Sequence, residues 1–325
     1  MGFWPLSKYS DYVRTHAQGI DQVYLFVPYE EPLDGDHPSI SLAYHAMPRW
    51  MDRFDVDFNE SSLHFRRNLH SYRVASEKYI GEVRAQFEWI KSPQMGKALL
   101  RELGRTKYRV RIIPYWDYAH PDADAAPWDG FKETSGGLAV WIAATAKGAP
   151  GFVDDGAGRP VIGTGGGTNS QVRYTPSLYH ASDGPGRAPD EVLFHELVHA
   201  SRIMRGAFFP MPVNKRYDQL EDYLAIILTN IYLSEKGQDV FRGAHRGGIL
   251  RGADADNFLH NSQRVDVPPT MVIQKFKDTQ PEFYWDVVDV NRLARRPPNY
   301  NWVRQYDQEA QKLANQSRKP AKPQP

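Results

Sequence analysis

Residues 195–199 read His195-Glu196-Leu197-Val198-His199, and no other stretch restricts the fold of this chain so tightly. A spacing of four brings both imidazoles to one side of an α-helix, where they can share one Zn²⁺ with Glu196 beside the open side of the ion. The flanking residues delimit such a helix. Pro189 suits its first position, Asp190 and Glu191 fall in its first turn, and Gly206 stops it. Leu193, Leu197, Ala200 and Met204 form a stripe to be buried, with His195, Glu196 and His199 on the adjacent face. Two merely structural histidines would leave the buried carboxylate between them unexplained.

An open zinc site needs a third protein ligand and keeps a fourth position for water. The segment Tyr217 to Leu233 is so apolar that it reads as a second buried helix, and acids entering such a helix need a cation or a polar partner. Glu221 is the expected ligand, with Asp222 as the alternative or as a hydrogen-bond partner of a ligand imidazole. A helix-capping role for both acids is the bland reading. The expected chemistry is hydrolysis: Glu196 activates a zinc-bound water as general base and then protonates the leaving amine. Tyr217, Tyr223, His245 and Arg246 are candidates for a further donor to the oxyanion, though no spacing singles one out.

Composition narrows the classes. Forty Lys and Arg against 39 Asp and Glu leave a net charge of +1, which gives no general pull toward nucleic acid or an anionic membrane. Without cysteine there is no disulfide and no Cys-ligated zinc. The N-terminus lacks a basic region followed by an apolar core, so no secretory signal is expected, and no apolar run is long enough for a stable membrane anchor.

Along the chain, Val23 to Pro28 reads as a strand, residues 61–103 as helical with a break at Ser92-Pro93, and Tyr108 to Pro114 as an alternating strand. A polar loop is expected through Gly136; its His120, Asp122 and Asp124 read as solvated. Gly137 to Ala143 and Pro160 to Ile162 look like further strands. The Gly163 to Thr168 run reads as a turn between strands, since no phosphate-loop Lys follows it and no helix N-terminus comes next. Val172, Arg173, Tyr174 and Thr175 are the expected substrate-binding edge, receiving an extended peptide by β-addition. Gly237 to Asn261 reads as loop, Met271 to Phe276 and Pro281 to Leu293 as helices. The expected fold is α+β and zincin-like: a small mixed sheet of four or five strands on the H-E-x-x-H helix, a second ligand-bearing helix behind it, and additional N- and C-terminal helices. The expected organisation is a mostly helical region 1–105, a metallopeptidase region 106–312 and a disordered tail 313–325, with residues 1–312 as a single unit the alternative.

The motif with its entry Asp190 to Phe194, the acid-started helix ending Thr229-Asn230-Ile231-Tyr232-Leu233-Ser234-Glu235, and the upstream Ser92-Pro93-Gln94-Met95-Gly96-Lys97 together resemble the M91 group of bacterial zinc metallopeptidases. That group includes NleD-like effectors and toxin domains carried by polymorphic and type VI secretion systems. The resemblance implies zinc held by His195, His199 and a downstream acid, a catalytic Glu196, and a protein substrate in a target cell. It also implies delivery by a secretion apparatus, with a cognate immunity protein as a further partner. Competing readings are a zinc amidase acting on cell-wall peptides and a non-catalytic, zinc-containing adaptor.

Overall fold

The computed structural model describes residues 29–32, 40–44, 63–114, 123–127, 152–154, 160–162, 165–209, 211–213, 216–245, 247–260 and 267–317. Its helices are α1 (Leu63–Lys91), α2 (Gln94–Gly104), α3 (Pro189–Arg205), α4 (Leu220–Glu235), a single turn at Ala253–Asp256, and then α5 (Pro269–Thr279), α6 (Pro281–Leu293) and α7 (Trp302–Ser317). The strands are β1 (Tyr29–Pro32), β2 (Ile40–Tyr44), β3 (Val110–Ile113), β4 (Asp124–Pro127), β5 (Phe152–Asp154), β6 (Pro160–Ile162), β7 (Ser170–Arg173), β8 (Val240–Arg242) and β9 (Ile249–Arg251).

The helical reading of residues 61–103 becomes α1 and α2. They part at Ser92-Pro93 because Pro93 has no amide hydrogen and disfavours the helical conformation of the residue before it. The freed first turn of α2 is capped from a distance. Glu235, the last residue of α4, accepts from the Gln94 amide at 2.7 Å and the Met95 amide at 2.8 Å. Burial holds the Glu235 carboxyl above its usual range even so.

Five strands form one mixed sheet in the order β1-β2-β3-β7-β4. The pairs β2–β3 and β3–β7 are parallel, with Ile112 opposite Leu42 on one side and Val172 on the other, while β1 and β4 run antiparallel at the edges. Helix α3 lies against β4 and β7 and packs on α1, α2 and α4. Val110, Ile112, Val172, Leu193, Leu197, Ala200 and Ile227 are fully buried between these layers. The α+β class therefore stands, with a sheet on the motif helix and a second helix beside it.

Three local expectations need correction. β7 is paired on both edges, so Val172 and Arg173 cannot receive a further strand, and Tyr174 and Thr175 beyond it are buried. Among the described residues the edge strand on this side of the sheet is β4, inside the segment read as loop. Asp124, Ala125 and Pro127 are poor strand formers, but an edge tolerates Pro, and an Arg173–Asp124 ion pair (Nε–Oδ1 2.7 Å) fixes its register on β7. Finally, the segment 237–261 carries the β8–β9 hairpin and a helical turn where only loop was expected.

β2 pairs with β3, so the sheet spans position 105. Helix α7 continues to Ser317, five residues into the stretch read as tail. The expected strands at 23–28 and 137–143, together with His120 and Asp122, lie outside the described residues. Among the described residues, no helix is long and apolar enough to cross a membrane.

The glycine run has a packing role. Gly167 sits at φ +74°, and a Cβ there would stand 2.1 Å from the Met204 carbonyl oxygen. Gly206, at φ +69°, closes α3 with its amide donating to Ile203 O. Residues 165–167 of the run therefore cross the C-terminal end of α3 at backbone contact, a distance only glycine permits.

Candidate metal centre

Helix α3 is anchored at both ends. At its start, Asp190 accepts from the Tyr232 hydroxyl at 2.6 Å and from Lys236 at 2.7 Å, while Glu191 accepts from Lys236 and from the Gly186 and Ala188 amides. These contacts tie the first turn of α3 to the last turn of α4. Both acids also sit at the positive end of the helix dipole.

One turn further along, the motif is inside the protein. His195, Glu196 and His199 are 3%, 6% and 7% exposed, so each ionisable group is out of bulk water. The Nε2 atoms of His195 and His199 face each other at 3.2 Å, with the rings at 84°. Two nitrogens bound to one tetrahedral zinc at about 2.0–2.1 Å stand about 3.3 Å apart, so this pair is already spaced as ligands. Asp222 brings Oδ1 to 3.5 Å from His199 Nε2. Among the described residues, His195, His199 and Asp222 form one donor group, with ligand atoms all within 4.8 Å of one another.

The surroundings favour one tautomer of His195. The Thr229 hydroxyl donates to Ala225 O at 2.7 Å and so presents a lone pair to His195 Nδ1 at 3.4 Å. Nδ1 then carries the proton and Nε2 is left as a donor to a metal. Burial, with Arg242, His199 and His245 nearby, holds the His195 imidazolium pKa well below its ordinary value. For His199, burial acts in the same direction, but the contact with Asp222 and the fields of Glu196 and Asp222 prevail and raise it. Burial would raise the Asp222 carboxyl, yet His199, His245 and Arg242 bring it below the usual range. His199 Nδ1 is buried without a hydrogen-bond partner among the described residues. The donor set, the 3.2 Å spacing and the lowered pKa of His195 fit a bound metal ion.

Glu221 lies elsewhere. Its carboxylate, 1% exposed, takes a two-point contact from the fully buried Arg202 (Nε–Oε2 3.0 Å, Nη2–Oε1 2.8 Å) and accepts the Phe209 amide at 2.6 Å. Adjacent helical residues point about 100° apart, so α4 directs only one of its two acids at the histidines. The acid that faces them is Asp222, and Glu221 neutralises Arg202. Nothing in the spacing announces this: Arg202 demands a carboxylate only because α3 buries it completely.

The other oxyanion candidates separate as well. Tyr217 and Tyr223 stack at 3.7 Å, both buried, with their hydroxyl pKa values raised chiefly by burial. His245 reaches the site, its Nε2 lying 3.6 Å from Asp222 Oδ1. Arg246 lies outside the described residues. Residues 67–223 match the family model Peptidase_M91, described as "Effector protein". No curated protein and no solved structure gives a significant match to the chain.

Proposed function

From the premise that residues 67–223 are an M91 peptidase segment of an effector family, we propose that the chain is a zincin-like zinc endopeptidase. Its ion would be held by His195, His199 and Asp222. The convergence of three donors around a 3.2 Å imidazole pair carries this reading. Bound there, zinc would supply a Lewis acid for the scissile carbonyl and acidify an attacking water.

The chain's own residues divide the remaining work. Glu196 follows the first ligand on α3 in a nearly water-free environment, and it takes the proton from the attacking water and returns it to the leaving amine. His195 and His199 stay fixed because α3 is held at both ends. The target polypeptide adds in extended form to β4, the sheet edge packed against α3. The substrate is a protein in a target cell, reached through a dedicated secretion apparatus, and an immunity protein would protect the producing cell. The effector description of the family supports this assignment.

The test is peptide-library cleavage by the zinc-loaded protein, with and without chelator, alongside Glu196→Gln. Cleavage that stops on chelation and is absent in a Glu196→Gln variant with full zinc content is the expected result. Chelator-resistant cleavage, or cleavage by Glu196→Gln at the wild-type rate, would contradict it.

A further inference from the structure

Beyond the three donors, a fourth side chain is held toward the same carboxylate. His245 lies in the β8–β9 turn, outside the family-matched segment, and each of its ring nitrogens faces a carboxylate. Nδ1 is 2.8 Å from Asp218 Oδ2, and Nε2 is 3.6 Å from Asp222 Oδ1. That Asp222 oxygen also stands 3.5 Å from His199 Nε2, so it sits between the metal-facing histidine and His245.

The backbone that carries the ring is fixed from several directions. The His245 amide donates to Arg216 O at 2.7 Å, and the His245 carbonyl accepts from Arg242, whose Nε also donates to Ala244 O at 3.1 Å. Arg242 is itself held by Asn230 of α4, which accepts from its amide at 3.0 Å and donates to its carbonyl at 2.9 Å. Asp218 is the one non-glycine with positive φ among the described residues, at +58°. A left-handed aspartate persists where surrounding structure enforces it, and such outliers gather at functional sites. Here the conformation accompanies a carboxylate set against His245 Nδ1.

A hairpin turn needs none of this to reverse the chain. Asp222, in contrast, gains from it: a carboxylate on a short side chain can rotate, and a partner on its far side keeps an oxygen turned to the histidine pair. At 3.6 Å, His245 Nε2 is one small rotation from a hydrogen bond to that oxygen. We propose that His245, oriented by Asp218, is a positioning residue of the metal centre, holding the Asp222 carboxylate with Oδ1 toward His195 and His199. This rests on the metal reading given above.

The experiment measures zinc affinity by competition with a chromophoric chelator for the wild type, His245→Ala and Asp218→Asn. The visible spectrum of the cobalt-substituted proteins and the melting of the metal-free forms are recorded in parallel. Asn accepts the left-handed conformation, so Asp218→Asn keeps the turn while weakening the hold on the ring. His245→Ala should bind zinc about 10–100-fold more weakly, the range for loss of a ligand's supporting partner. Asp218→Asn should shift affinity the same way by less, and both should alter the cobalt spectrum while metal-free melting stays as in wild type. Wild-type affinity and an unchanged cobalt spectrum in both variants would overturn the inference and leave the metal reading intact. So would a loss confined to His245→Ala with lowered metal-free melting. A wild type that takes up no metal would instead overturn the metal reading itself.

Discussion

Replacing Glu221 by Ala should damage the fold and spare the metal donors. Arg202 is fully buried, and Glu221 supplies its two-point carboxylate contact as well as the acceptor for the Phe209 amide. Removing one partner of a buried ion pair costs about 3–5 kcal/mol because the remaining charge has no water to turn to. Arg202 keeps neutral acceptors in Thr279 at 2.9 Å and Gln280 at 3.1 Å, which places the expected loss near the lower end, about 3 kcal/mol. In a chain of this size each kcal/mol moves the melting temperature by about 2 °C, so the metal-free variant should melt about 6 °C below wild type. Differential scanning calorimetry of metal-free protein reads this directly, with urea unfolding as the check on free energy. A Glu221→Ala protein that melts within a degree of wild type while losing its metal would refute the reasoning and return Glu221 to the ligand set.

Further outcomes follow from the same geometry. Because the proton on metal-free His199 is held more tightly than usual and that on His195 far less tightly, zinc affinity should begin to fall as pH drops through values above 6.5, the ordinary imidazole value. His199 governs that onset; an affinity that is flat from pH 8 to pH 6 in a calorimetric titration would contradict it. Gly167→Ala should lower stability by more than about 1 kcal/mol, since φ is +74° and the new Cβ would meet Met204 O at 2.1 Å. Chemical denaturation checks it, and a neutral result would mean the glycine run is not pressed on the end of α3. Arg173→Ala should release the β4 edge from β7 and raise KM for peptide substrates by a few-fold more than it changes kcat. An unchanged KM would remove β4 from substrate binding.

Local chemistry was legible in the sequence where it is repetitive or punctuated. The H-E-x-x-H spacing, the Pro189 start and the Gly206 stop defined α3, and the break at Ser92-Pro93 separated α1 from α2, because each depends on residues close in the chain. What was hidden depends on partners far away. β4 has strand-poor residues and becomes a strand only because β7 and Arg173 hold it there. The choice between Glu221 and Asp222 turned on which face of α4 meets α3, a packing fact that Arg202 signals only once its burial is known. His245 gave no spacing signal because it enters from a hairpin turn whose position is set by Asn230 and Arg242.

The central claim is that His195, His199 and Asp222 hold one metal ion. Elemental analysis of protein purified in zinc-replete buffer, comparing wild type with Asp222→Ala and Glu221→Gln, tests it most directly. The account predicts about one zinc per chain in wild type and Glu221→Gln and a large loss in Asp222→Ala. A metal-free wild type, or full zinc in Asp222→Ala, would contradict it.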